Sequence, residues 1–442
     1  MMAPIYLLLV AVIFIIASTA WLRLHPFIVL LLAAFGYGLA VGLPAAEVVA
    51  SINNGFGATL GNIGIVIAAG TIIGVYLEKS GGAYALAERV LRITGRNNAP
   101  LAMGAVGYVV SVPVFCDSGF VILSPLNKAL CKRGGVSLAV GAIALALGLY
   151  ATHTMVPPTP GPIAAAGLLK ADLGLVILFG LPVSAAALLT GWLFAVKVAS
   201  TVNIDPDPEH TEDEILAIVK SAPSAFHSLL PIAAPIALIV MQSIAKYPTQ
   251  PLGAGAVRDA FIFFGSPVVA LMIGVGLAMT LTRTWSASNN WISQGLSNAA
   301  MIILITGAGG SFGKVLQNSG AADAVSGPLS QWSLGVWLPF VLAAAIKTAQ
   351  GSSTVAIITT ATLLGPMMNS LGFSTPNQAA LAVVAIGAGS MCVSHANDSY
   401  FWVVTQFSRM DAKTGYKLLS LGSFVQGTAA GVCVWLLSNL FE

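Results

Sequence analysis

Apolar stretches long enough to cross about 30 Å of hydrocarbon recur from residue 5 to residue 440 of this 442-residue chain, and nothing else restricts its fold as strongly. In lipid every backbone polar group must be satisfied internally, so repeated stretches of this length predict membrane-spanning helices. The chain is 57% hydrophobic and only 8% charged, against about 25% charged in a soluble domain. So few charges cannot clothe a soluble surface, which excludes a separate soluble catalytic domain. The net charge of +3 comes without a basic arm or patch, so nucleic acid is not an expected partner. Cys116, Cys131, Cys392 and Cys433 stand in apolar surroundings without CxxC or Cys/His spacing. They read as packing residues, and neither a metal site, a disulfide framework nor a bound cofactor is expected. Residues 5–22 lack a basic leader and are followed at once by further spans, so they read as the first helix.

Runs near 5–22, 26–44, 58–78, 136–171, 174–199, 226–247, 262–282, 296–316, 376–408 and 418–440 read as about ten spans. Two further stretches, 100–131 and 336–370, exceed the roughly 20 residues one crossing needs, and each has a polar centre: FCDSGF at 115–120 and TAQGSST at 348–354. These predict two re-entrant hairpins with tips inside the membrane, where irregular backbone is tolerated only against protein or a water-filled cavity. The spans 136–171 and 376–408 are overlong too, and are broken at HTMVPPTPGP (153–162) and SHANDSY (394–400). Proline cannot continue a helix through the first break.

The acidic stretch 203–224, with Asp205, Asp207, Glu209, Glu212, Asp213 and Glu214, divides the chain and predicts a cytoplasmic linker over 200–225. LEKSGGA at 77–83 recurs as LQNSGAA at 316–322, each closing a glycine-rich third span. Five crossings per half make the second copy an inverted repeat, an architecture expected of secondary transporters. With the N-terminus outside, Arg23, Lys79, Arg89, Arg92, Arg96, Lys128, Lys132, Arg133, Lys197, Lys220, Arg283, Arg409, Lys413 and Lys417 fall on the cytoplasmic side. Lys170, Lys246 and Arg258 fall outside, and Lys314 and Lys347 within the membrane, as the positive-inside rule favours.

Ionisable residues at membrane depth are functional candidates by default. Asp117, beside Ser118 at the first tip, is the first; the alternative is an Asp that caps the second half-helix. At the second tip, Gly351 precedes Ser352, Ser353 and Thr354 at the start of a half-helix, whose free amides and partial positive charge suit a carboxylate. Lys347 could add a full charge there or pair with a carboxylate as pure structure. His153 and His395 stand at equivalent breaks, the latter near Asn397 and Asp398, and a histidine exchanges protons near neutral pH. Asp117, His153, His395 and Asp398 are the proton-coupling candidates. Ser118, Thr159, Gly161, Lys347, Gly351, Ser352, Ser353, Thr354 and Asn397 are the substrate candidates. GAGGSFG at 307–313 is no phosphate loop, and predicts close helix packing through small residues. A hydrolase using Ser118 or Ser352 with His153 or His395 lacks a GxSxG elbow or an HExxH helix.

The FCDSGFVIL tip, the stretch from Thr152 to Pro162, the second tip GSSTVAIIT and SHANDSYFW at 394–402 together resemble the gluconate permease family, within the ion transporter superfamily, over essentially the full length. The resemblance implies an elevator-type carrier in the bacterial inner membrane that takes up gluconate or a related hydroxy acid with protons; some relatives carry D-serine. The scaffold would be 1–99 and 226–335, the moving hairpins and broken helices 100–199 and 336–442, and the assembly a homodimer. Asp117 stands where gluconate carriers usually have glutamate, Thr159 where PPHPGP has histidine, and Lys347 where the second hairpin has arginine. A shorter acid such as glycerate fits these departures. Within the same superfamily a sodium/proton antiporter, or a sodium-coupled anion carrier, is the alternative.

Overall fold

The structure, a computed structural model, describes residues 3–20, 22, 24–95, 98–207, 222–246, 252–282, 284–319 and 334–440. Arg23, Arg96, Lys220, Arg283, the acids Glu209 to Glu214 and the end of the second LQNSGAA motif lie outside the described residues.

The described chain is helical. In the first half run α1 (Ala3–Ala20), α2 (Pro26–Ala40), α3 (Ala45–Lys79), α4 (Gly82–Thr94), α5 (Ala99–Val110), α6 (Cys116–Gly134), α7 (Leu138–His153), α8 (Pro160–Leu169) and α9 (Leu173–Lys197). The second half has α10 (Ala225–Lys246), α11 (Ala256–Phe264), α12 (Pro267–Met279), α13 (Trp285–Asn318), α14 (Trp337–Gln350), α15 (Ser353–Leu364), α16 (Pro376–Ser390), α17 (Ser399–Phe407) and α18 (Ala412–Ser438).

Among the described residues five helices are individually long and apolar enough to cross a membrane, and the bent pair α11–α12 makes a sixth. The other expected crossings are assembled from shorter apolar pieces. Three expectations are corrected. The third spans, read as 58–78 and 296–316, are helices of 35 and 34 residues, about 50 Å at 1.5 Å per residue. Polar residues such as Asn53 and Asn54 on α3 and Asn289 and Asn290 on α13 hid their outer turns from an apolarity reading. The span read at 262–282 is bent by 67° between α11 and α12, where Gly265 and Ser266 precede Pro267. Helix α4 was not expected; its apolar side buries Leu86, Ala87 and Leu91 while Arg92 pairs with Glu88 at 3.3 Å.

Both expected hairpins have the predicted shape, a helix, a non-helical tip and a second helix: α5–α6 about residues 111–115 and α14–α15 about Gly351–Ser352. Both broken helices are likewise interrupted, α7–α8 and α16–α17. LEKSGGA works as a helix stop, since Ser80 caps α3 and Gly81 turns the chain at φ +79°, a conformation favouring glycine. Its repeat ends α13 at Ser319.

The repeat extends well beyond that motif. Leu77 and Leu316 lie 239 residues apart, and α3, α5, α7 and α9 begin within one or two residues of that offset from α13, α14, α16 and α18. The long helices α3 and α13 pack antiparallel along their length. Asn318 donates to Ser51 Oγ at 2.8 Å at one end, Ser311 Oγ to the Ile52 carbonyl at 3.0 Å further in, and Tyr76 to the Ser288 carbonyl at 3.0 Å at the other end. The second copy is therefore inverted. GAGGSFG is the helix contact expected of it: a Cβ on Gly310 would collide with Thr59, and one on Gly55 would meet Lys314 Cβ at 2.8 Å.

Two opposite faces are distinct. On one, Lys132 pairs with Asp205 at 3.4 Å, Arg409 with Asp207 at 2.7 Å, and Lys417 reaches Thr201 at 3.3 Å. The Arg409 guanidinium holds the exposed Asp207 carboxyl below the usual range. This is the face the positive-inside rule makes cytoplasmic. On the other, Asp172 caps α9 and accepts from Ser243 Oγ, near the end of α10, at 2.5 Å.

Candidate functional site

Four half-helices begin inside the protein: α6 at Cys116, α8 at Pro160, α15 at Ser353 and α17 at Ser399. Their starts converge. Ser399 Oγ donates to Asp117 Oδ2 at 3.3 Å, joining the first tip to the second break across 282 residues. A Cβ on Gly161 would touch Ile357 at 3.0 Å and Thr354 at 3.9 Å, joining the first break to the second hairpin. Helix N-termini carry unsatisfied amides and partial positive charge, so their convergence makes a cradle for an anion.

At the centre is a buried ion pair. Lys347, with no exposed surface, places Nζ 2.5 Å from Asp398 Oδ2, and Asp398 is 5% exposed. Asp398 Oδ2 also accepts from Ser394 Oγ at 2.5 Å and Tyr150 OH at 3.3 Å, while Oδ1 caps α17 by accepting from Tyr400 N at 3.1 Å. Lys347 additionally donates to the Gly351 carbonyl. Both charges are thus satisfied within the protein, and the pair locks the second hairpin to the second break.

His395 Nε2 lies 2.8 Å from the Thr348 carbonyl, and Asn397 Nδ2 donates to the carbonyls of Thr348 and Ala349 at 2.9 and 3.2 Å. These two side chains cap the end of α14. Gly351, at φ +89°, has no room for a Cβ because the Asn397 carbonyl occupies its place. Ser352 caps α15 by accepting from Val355 N at 3.3 Å, and Ser353 Oγ lies 2.7 Å from Tyr150 OH. The amides of Ser353 and Thr354 precede the first intrahelical bond of α15, from Ala356 N to the Ser352 carbonyl.

Asp117 lies in the first turn of α6 but does not cap it; the N-cap position is Phe115. Its Oδ1 is buried without a partner among the described residues, and Lys347, a nearby cation, is already taken by Asp398. Ser118 is half-buried beside it. His153 is 6% exposed, packs its ring 5.8 Å from that of Phe115 and leaves Nδ1 without a partner among the described residues. Thr159 is buried and donates to the Val156 carbonyl at 2.7 Å, closing the turn before α8.

All the predicted residues therefore gather around the two tips and two breaks. Tyr150, Ser394 and Ser399 were not singled out from sequence. Ser394 has a weak signal, standing four residues before Asp398, whereas nothing in the sequence says that Tyr150 reaches Asp398 across 248 residues.

Discontinuous helices meeting at a polar centre inside an inverted repeat of apolar helices define a multi-pass membrane permease. The GntP family permease profile matches residues 3–440, and the chain belongs to that family. Similar proteins include the gluconate permease of Pseudomonas aeruginosa, 33% identical over 97% of this chain and 96% of that one. The D-serine transporter DsdX of Escherichia coli K12 is 31% identical over 98% and 97%. The fold resembles the crystal structure of the Alcanivorax borkumensis YdaH transporter, with a TM-score of 0.70 at 16% identity, covering 94% of this chain and 99% of that one.

Proposed function

We propose that this permease is a proton-coupled symporter that takes up a small hydroxy acid or sugar acid, such as gluconate or glycerate, across the bacterial inner membrane. The carrying observation is the charge balance of the site. Lys347 and Asp398 neutralise each other, which leaves Asp117 as an acid of the site with no ion-pair partner among the described residues. A substrate carboxylate on the amides of Ser353 and Thr354 must share the cradle with it. Two like charges about 6 Å apart at an effective dielectric of about 20 repel by about 3 kcal/mol, roughly two powers of ten in affinity. A proton on Asp117 removes that repulsion, so anion and proton bind together. His153 is the neighbouring exchange group.

An elevator motion is the natural carrier of such a site, because both tips and both breaks belong to hairpins and broken helices that pack on one another. The glycines of α3 and α13 support it. Gly70 and Gly74, at the 239-residue offset from Gly309 and Gly313, face the carbonyls of Pro158 and Pro113, at the first break and first tip. Gly309 and Gly313 instead face Thr362 and Pro366, at the far end of the second hairpin. The hairpins thus sit off the pseudo-twofold position, toward the face with the Lys132–Asp205 pair.

Proteoliposomes with imposed proton or sodium gradients and labelled gluconate, glycerate and D-serine test the proposal. Proton-driven accumulation of one of these acids is expected, with Asp117→Asn retaining exchange but losing accumulation. Accumulation by Asp117→Asn against a gradient, or driven by sodium alone, would overturn it.

A further inference from the structure

We propose that the cleft between the α3–α13 pair and the outer ends of α8 and α15 is a second site, which captures a small carboxylate anion on the face opposite the Lys132–Asp205 pair. The inference rests on the reading of the protein as an anion carrier, and places a binding step before the central cradle.

The cleft has a volume of about 390 Å³ and opens into a basin of about 720 Å³; the two share Lys170, Gln317, Gly365 and Pro366. Such volumes suit a small-molecule site. Lys314 and Lys170 line the cleft, and Lys246 lines the basin with Lys170. Among the described residues the acid lining them is Asp172, whose Oδ1 is occupied by Leu175 N at 3.0 Å and Ser243 Oγ at 2.5 Å. Lys314 Nζ donates to the Gln317 amide oxygen at 3.0 Å, and none of the three lysines forms an ion pair among the described residues. Positive potential in a walled cleft concentrates anions.

Two further observations point to a ligand. Thr362 is 1% exposed, lines the cleft, and its Oγ1 has no partner among the described residues. A buried hydroxyl without a partner is costly, and an arriving polar group supplies one. Second, the position equivalent to Lys314 in the first repeat is Val75, 3% exposed in apolar packing. The Lys314 charge therefore has no counterpart at the equivalent position of α3.

The repeat asymmetry says what the site is for. Exchanging the two halves' arrangements brings the second tip, 10 to 14 residues from Thr362 and Pro366, up to Gly309 and Gly313. That is about 15–20 Å at 1.5 Å per residue. An anion held by Lys314, beside Gly313, waits where the amides of Ser353 and Thr354 arrive.

The test has two arms. In the first, uptake of labelled gluconate is measured in oriented vesicles. Lys314→Gln and Lys170→Gln should each raise the external KM about five- to tenfold at low ionic strength, leave Vmax within about twofold, and lose most of the effect in high salt. The KM measured from the opposite face should not move. The second arm needs no transport. Gln317→Cys, at the shared rim, should react about fivefold faster with a sulfonate thiol reagent than with its trimethylammonium analogue. Gluconate should protect it, and Lys314→Gln should abolish the preference. Unchanged external KM, an equal KM change from both faces, or no charge preference at the introduced thiol overturns the capture site. Charge preference and protection without uptake of any acid would instead overturn the transport reading while the site stands.

Discussion

Replacing Lys347 by methionine strands Asp398 as a buried carboxylate, and replacing Asp398 by asparagine strands Lys347 as a buried ammonium. Breaking a buried pair from one side costs about 3–5 kcal/mol, and the local partners decide where in that range each variant falls. Without Lys347, Asp398 keeps three neutral donors, from Ser394, Tyr150 and the Tyr400 amide. Without the carboxylate charge, Lys347 keeps the Gly351 carbonyl as its hydrogen-bonded acceptor. Lys347→Met should therefore cost about 3 kcal/mol and Asp398→Asn about 5 kcal/mol. The double variant removes both charges while the introduced asparagine still caps α17, so its cost should fall at least about 2 kcal/mol below the sum. Unfolding in mixed micelles of rising SDS fraction, followed by tryptophan fluorescence, measures all three. Additive single costs, or Lys347→Met as the more damaging change, would refute the pair as the element holding the second hairpin to the break.

Gly351→Ala combines a left-handed backbone with a collision against the Asn397 carbonyl; it should reach the membrane but lose uptake at least about tenfold, about 1.4 kcal/mol in a barrier, and a wild-type rate would show that the tip geometry is not needed. A Gly309→Cys, Thr362→Cys pair tests the elevator, because the Gly309 Cβ would lie 3.4 Å from Thr362 Cβ, near the roughly 3.5–4.5 Å of disulfides. Oxidation should stop transport and reduction restore it; unimpeded transport by the crosslinked protein would mean that this hairpin does not move against α13.

The location of the candidate site was legible in the sequence because polar residues inside long apolar stretches are costly to bury. Asp117, the GSST tip, the proline-rich break and SHANDSY announced themselves by the cost of placing them in hydrocarbon. The two helix–tip–helix hairpins and the inverted repeat were legible for the same reason, from stretch length and the LEKSGGA recurrence. The outer turns of α3 and α13 were not, because exposed polar side chains there, Asn53 and Asn54 on α3 and Asn289 and Asn290 on α13, break the apolar run on which a hydropathy reading relies.

Composition and pattern along the chain set it in the membrane, fix where its backbone must break and name the polar side chains at the breaks. Which charges cancel follows from packing between helices. Lys347 and Asp398 are 51 residues apart and belong to different helices, so their 2.5 Å contact exists only once the second hairpin packs on the second break. That contact turns Lys347 from an available cation into a neutralised one and leaves Asp117 alone. It was equally the packing of α3 on α13 that turned Lys314 from a lysine lost in a glycine-rich span into the wall of a cleft. Partition into lipid depends on residues summed along a stretch, which a sequence displays, whereas electrostatics inside a site depends on distances between elements, which packing alone sets.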